Sequence, residues 1–198
     1  MVEHHGWQVP RAFGSAEDEA ARVKEAVGVS DVGWMVKLDL KGAALQVPPA
    51  WEEASFWCLG RLHYLLTCEP AAADSVAGRL RQIQSARTDS SASLPIYATD
   101  VTSVYTHLWL AGPRSREVLN KLTSLNLSDG TLRDQTCAQA SVAHVRAIVL
   151  RQDVNEIPAY HLLVGREYGE SVWESVLHAG YEFHIAPFGL EARRLLHG

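Results

Sequence analysis

Along residues 36–41 apolar and polar side chains alternate, with Val36, Leu38 and Leu40 set against Lys37, Asp39 and Lys41. A period of two predicts a half-buried strand. The run closes a longer stretch, Gly28 to Gly42, that carries glycines at its start, at Gly33 and at its end. Turns or close backbone approach are expected there. A helix precedes the stretch. Ser15 is its N-cap, and Glu17, Asp18 and Glu19 form a solvated first turn whose dipole favours acids. Ala20, Val23 and Val27 line one face, and Gly28 stops the helix. A helix thus feeds a sheet through a glycine-bearing corner. Ahead of it, Gly6 to Pro10 is an extended lead-in, because the residue before proline avoids the helical region.

Further along, Pro48 and Pro49 make residues 43–55 a loop. Residues 56–59 and 63–68 read as a hairpin turning at Gly60 and Arg61. A helix is predicted over 71–85, with Val76, Leu80 and Ile83 inward. The serine-rich composition of 85–95 predicts a mobile connector. Strands follow over 96–101 and 105–111, then a helix over 112–122 with Pro113 in its first turn. Residues 125–130 form a turn, and 137–151 give one or two strands, strongest over 142–150. The chain ends with a strand over 159–164, a helix over 168–178, a short extended piece over 181–185 and a helix over 188–196. Helices and strands alternating unevenly, with hairpins, argue for an α+β fold with mostly antiparallel sheets backed by helices. One compact domain over 1–198 is expected. It allows two pseudo-duplicated half-domains, about 1–95 and 96–198, although no clean internal repeat is visible.

Composition narrows the function classes. An apolar share of 47% supports a real core, and a net charge of −5 leaves no basic stripe for nucleic acid. Cys58, Cys68 and Cys137 are odd in number and lack metal-type spacing. They fit free or buried thiols in a reducing cytoplasm. The first residues lack a signal-peptide layout, and no apolar run approaches the roughly 20 residues of a membrane span. No phosphate-binding loop, glycine-rich dinucleotide turn or nucleophile elbow is present. His144 and His161 fall in predicted strands and read as partnered sheet histidines. Trp51, Trp57, Trp109 and Trp173 read as fillers of core or interface.

Several separated segments carry a family resemblance. Gly6-Trp7-Gln8-Val9-Pro10, a helix, and then Asp31 to Gly42 resemble the opening of glycine-cleavage T proteins (aminomethyltransferases). Leu110 to Leu119, Tyr160 to Leu177 and Pro187 to Arg193 resemble later segments of the same family, in the same order. Phe56 to Gly60 with His63 to Leu66, Cys137 to Ala140 and the chain length are similar to a shorter relative, the gamma subunit of heterotetrameric sarcosine oxidase.

The resemblance implies a folate-binding-type fold with tetrahydrofolate as candidate cofactor. It places Arg193, His161, Tyr160 and Trp34 at cofactor-binding positions. It also carries departures. The link over 43–55 has thirteen residues and no aspartate, where T proteins carry a longer segment holding the aspartate beside the reactive folate nitrogen. The family's pterin-binding carboxylate aligns with His161, and its opening-strand histidine with Trp34. A carboxylate accepts two hydrogen bonds from a pterin's donor edge, whereas a neutral imidazole has one acceptor. These departures imply a non-catalytic or accessory subunit in one-carbon (N-methyl amine) metabolism, with no catalytic residue assigned. Its implied partners are larger flavoprotein subunits or a second copy. The alternatives are an active tetrahydrofolate-dependent aminomethyltransferase and a stand-alone binding protein with a repurposed pocket. Trp34 is expected to point toward the former pocket rather than to solvent.

Overall fold

A computed structural model describes residues 1–42, 51–88 and 96–198, with side chains of 86–88 left aside. In chain order the elements are β1 (Val2–His4), β2 (Trp7–Val9), α1 (Ala16–Glu25), β3 (Gly28–Asp31), β4 (Val36–Lys41), β5 (Ala54–Gly60), β6 (His63–Cys68), α2 (Ala73–Thr88), β7 (Tyr97–Asp100), β8 (Tyr105–Ala111), α3 (Ser115–Asn120), β9 (Thr136–Val142), β10 (Val145–Arg151), β11 (Ala159–Gly165), α4 (Gly169–Gly180), β12 (Ala186–Pro187) and α5 (Leu190–His197). The expected α+β class holds, and every named pairing is antiparallel except β12 with β3. Two compact units share the chain. One joins Met1–Gly33 to Val104–Gly198, and the other is the intervening Trp34–Ser103.

The larger unit is built on a six-stranded sheet in the order β12-β3-β8-β11-β10-β9. Leu108, Leu110, Tyr160, Leu162, Val164 and Val149 face a core closed by Val118 and Leu119 of α3 and by Val172 and Val176 of α4. Alternation sends the intervening side chains of β8 and β11 to the second face, where α5 lies. α1 packs against α5. Ser15 caps α1 as expected, its hydroxyl accepting from Asp18 N.

Glu19 departs from its reading as a solvated first-turn acid. It is 5% exposed. Its carboxylate accepts from the backbone N–H groups of Phe13 (2.6 Å), Gly14 (2.7 Å) and Gly189 (2.8 Å). The third donor lies 170 residues away in sequence, so a local pattern could not reveal it.

The smaller unit is a four-stranded sheet, β5-β6-β4-β7. Leu40, Leu66, Val76, Leu80 and Trp51 share its core. The hairpin predicted over 56–68 is β5 with β6. Trp57 Nε1 donates to Thr67 Oγ1 (2.8 Å). Burial, with Glu69 and Glu53 adding to it, pushes the Cys68 thiol up to about 11, which makes it inert near neutral pH. Cys58, Cys68 and Cys137 are all free thiols.

Other local readings are corrected. The stretch from Gly28 to Gly42 is two strands in two sheets, not one strand after a corner. Asp31 Oδ1 accepts from Gly33 N (2.8 Å) and turns the chain between them. Lys37, read as a polar-face residue, is fully buried, and its Nζ donates to Met35 O (2.5 Å). The run over 142–150 is broken by a two-residue turn. Ala143 and His144 both have positive φ, which closes the β9–β10 hairpin. His144 therefore lies in an exposed turn rather than a strand. Flanking valines at 142 and 145 hid it. The piece over 181–185, read as extended, begins with a short 3-10 turn over Tyr181–Phe183. The loop and connector readings over 43–50 and 89–95 lie outside the described residues. No helix among the described residues is long and apolar enough to cross a membrane.

Hydrogen bonds to a charged acceptor contribute about 1.5–3 kcal/mol each, and a buried donor left unsatisfied costs about 1–3 kcal/mol. Glu19→Gln replaces one accepting oxygen by an amide that cannot accept. The variant is expected to lose about 2 kcal/mol or more in urea denaturation, and Glu19→Ala more.

Candidate functional site

β8 and β11 lie side by side in a register that sets Trp109 opposite His161, His107 opposite Leu163 and Leu110 opposite Tyr160. Trp109, His107 and His161 consequently share the second face, while Tyr160 turns into the core on the first. The His161 ring stacks on Trp109, with centroids 5.9 Å apart and planes at 15°. His161 Nδ1 lies 2.8 Å from His107 Nε2, in a buried pair. Such a bond needs one N–H and one lone pair, so both imidazoles cannot be doubly protonated while it stands.

The end of the chain completes this cluster. Phe188 meets the Trp109 ring edge-on at 5.4 Å, and His197 of α5 stacks on it at 5.4 Å and 18°. The Arg193 guanidinium carbon lies 5.5 Å from the Trp109 ring centroid, a cation–π distance. Of the four residues singled out in the sequence, the fold thus gathers His161 and Arg193 around Trp109. Tyr160 is fully buried on the opposite face, where Arg116 Nε donates to its hydroxyl (3.3 Å) and Arg151 stands 5.9 Å from its ring centroid. Trp34 begins the smaller unit and is 3% exposed, so it does not lie on a solvent face.

The sheet beside Tyr160 is braced by charge. Arg151 donates to Asp153 (3.0 and 2.8 Å), to Leu132 O (2.9 Å) and to Asp129. The bond to Asp153, aided by Asp129, holds Arg151 above the usual guanidinium range against the opposing effect of burial. These contacts brace the edge of the sheet.

The sequence reading did not assign His107, Phe188 and His197 to a site, and took Trp109 as filler. A signal was present: Tyr105, His107 and Trp109 recur at every second position of a strand whose other positions include Leu108 and Leu110. A leucine face opposite a polar-aromatic face marks a sheet with two different jobs. Among the described residues no group of three or more His, Cys, Asp and Glu side chains is placed to hold a metal ion.

Fold and cluster together define an α+β domain whose sheet carries a buried aromatic–imidazole face. Residues 51–197 match the model of the GCVT N-terminal domain family, and the chain belongs to that family. It is 29% identical over 216 residues to an aminomethyltransferase of Geobacillus thermodenitrificans, covering 98% of this chain and 58% of the relative. It is 22% identical over 223 residues to one of Halothermothrix orenii, covering 99% and 60%. The chain therefore spans less than two thirds of these relatives. Its fold is shared with the glycine cleavage system aminomethyltransferase T of Bartonella henselae, with a TM-score of 0.72 at 14% identity over 99% of this chain and 57% of that one. It is also shared with a chain of heterotetrameric sarcosine oxidase from Corynebacterium sp. U-96, with a TM-score of 0.60 at 21% identity, covering 86% of this chain and 93% of that one.

The residues present do not fit a pterin in the way the family resemblance implies. His161 supplies an imidazole already bonded to His107, not a two-oxygen acceptor, and the hydroxyl of Tyr160 is engaged on the other face. Replacing His161 by Phe keeps a ring against Trp109 but removes this partner of His107. The cost is expected at about 1–3 kcal/mol in equilibrium unfolding. A change within about 0.5 kcal/mol, the usual range for surface substitutions, would show the pair to be energetically idle.

Proposed function

We propose that this chain is an accessory member of the GCVT N-terminal domain family, keeping the fold without one-carbon transfer. It acts in one-carbon (N-methyl amine) metabolism, in the cytoplasm, by docking on a larger flavin-dependent subunit. The observation that carries this reading is His161. At the position where the family resemblance implies a pterin-binding carboxylate stands a buried imidazole, bonded to His107 and stacked on Trp109. Transfer at a folate nitrogen needs a group that manages charge there. The sequence over 43–55 also lacks the family's aspartate.

One observation favours the active alternative, a tetrahydrofolate-dependent aminomethyltransferase. Arg193 keeps its family position and lies against Trp109. Calorimetry with tetrahydrofolate and 5-formyl-tetrahydrofolate separates the two. The accessory reading expects no binding at micromolar concentrations, together with co-purification of a flavin-bearing protein with the tagged chain. Micromolar binding that Arg193→Ala abolishes would overturn the accessory reading and favour the active alternative.

A further inference from the structure

The second face of the six-stranded sheet does not end at the His107–His161 pair. Further along β11 and β8, Leu163 is followed by Gly165 opposite Tyr105, and Leu163 sits opposite Ile148 of β10. Leu163 and Ile148 are buried, and with Tyr105 and Tyr168 they line a cleft of about 570 Å³. That volume lies within the roughly 300–1,000 Å³ typical of small-molecule sites.

Two opposite charges line the same cleft, Arg146 and Glu167. Arg146 lies two residues before Ile148 on β10 and shares its face. Glu167 follows β11 and folds back. A Cβ added to Gly165 would stand 2.9 Å from both of its carboxylate oxygens. The carboxylate therefore rests over the α-carbon of Gly165, and both residues line the cleft. Neither Arg146 nor Glu167 forms an ion pair among the described residues, with each other or with another group.

An apolar floor, two aromatic rings and two separated charges of opposite sign describe one class of ligand. We propose that this cleft binds a small zwitterion, an amino acid with a bulky apolar side chain. Glu167 takes the ammonium group, the Arg146 guanidinium takes the carboxylate through its forked N–H groups, and the apolar body lies against Leu163, Ile148 and the tyrosine rings. Both charged side chains are exposed at the rim of the cleft, and a ligand of single charge would engage only one of them. The proposal is independent of the accessory role, since neither charged residue belongs to the Trp109 cluster.

Calorimetry with L-phenylalanine, L-phenylalaninamide and N-acetyl-L-phenylalanine tests it. The amide lacks the carboxylate and the acetyl derivative lacks the ammonium. L-Phenylalanine is expected to bind, with each derivative about tenfold weaker or more, the loss of one charge-assisted contact. Glu167→Gln should weaken L-phenylalanine by a similar factor and leave the acetyl derivative unchanged. Arg146→Gln should do the same with respect to the amide. No heat with L-phenylalanine up to millimolar concentration overturns the proposal. So does equal binding of all three compounds to the unaltered protein, a result that does not depend on any variant folding.

Discussion

A single buried carboxylate ties the segment just before α1 to the start of α5, 170 residues further along the chain. Glu19, on the first turn of α1, accepts from the amides of Phe13, Gly14 and Gly189. Around it the chain is in close backbone contact. Leu190 N donates to Pro10 O and Glu191 N to Arg11 O, at 3.0 and 3.1 Å. A Cβ on Gly189 would stand 2.5 Å from Arg11 O and 2.7 Å from Ala12 Cα. Glycine at 189 is required by this approach, and the carboxylate satisfies the buried amide of Gly189 together with the part-buried amides of Phe13 and Gly14.

What this junction positions is the start of α5. Phe188 lies just before it, and Arg193 and His197 lie on it, all three against Trp109. The Trp109 cluster is therefore assembled from the middle of the chain, through β8 and β11, and from its end, through a helix whose origin Glu19 holds. The same sheet face continues past the cluster to Leu163 and the cleft beyond it. The opposite face, with Tyr160 among Leu108, Leu110 and Leu162, does the work of the core. A sheet whose two faces differ in this way leaves one free to change its chemistry while the other preserves the fold.

Much of the architecture was legible because it rests on local regularities. Ser15 before an acidic turn announced α1, alternation from Tyr105 to Ala111 announced β8, and paired β-rich runs announced the β5–β6 hairpin. Ordered motifs such as Pro187 to Arg193 brought the family resemblance. What escaped depends on tertiary partners or on masked turns. Glu19 looked like its solvated neighbours because its third donor is distant in sequence. Lys37 sat on the polar side of an alternating strand, yet its ammonium is buried against Met35 O. The turn at Ala143 and His144 uses positive φ without glycine or asparagine, so no turn signal marked it. Alternation put His107 on the face of Tyr105 and Trp109, but its partner His161 emerged only from the register of β8 with β11.

The central claim is that Glu19 holds the N-terminal segment and the start of α5 as one buried junction. Native-state hydrogen exchange at the amides of Phe13, Gly14 and Gly189 measures this directly, since hydrogen-bonded amides exchange through opening of the bond. The account predicts slow exchange at all three, comparable to that of the β8 and β11 amides, with all three accelerating together in Glu19→Gln. Fast exchange at these amides in the unaltered protein, or acceleration at one of them alone in the variant, would contradict it.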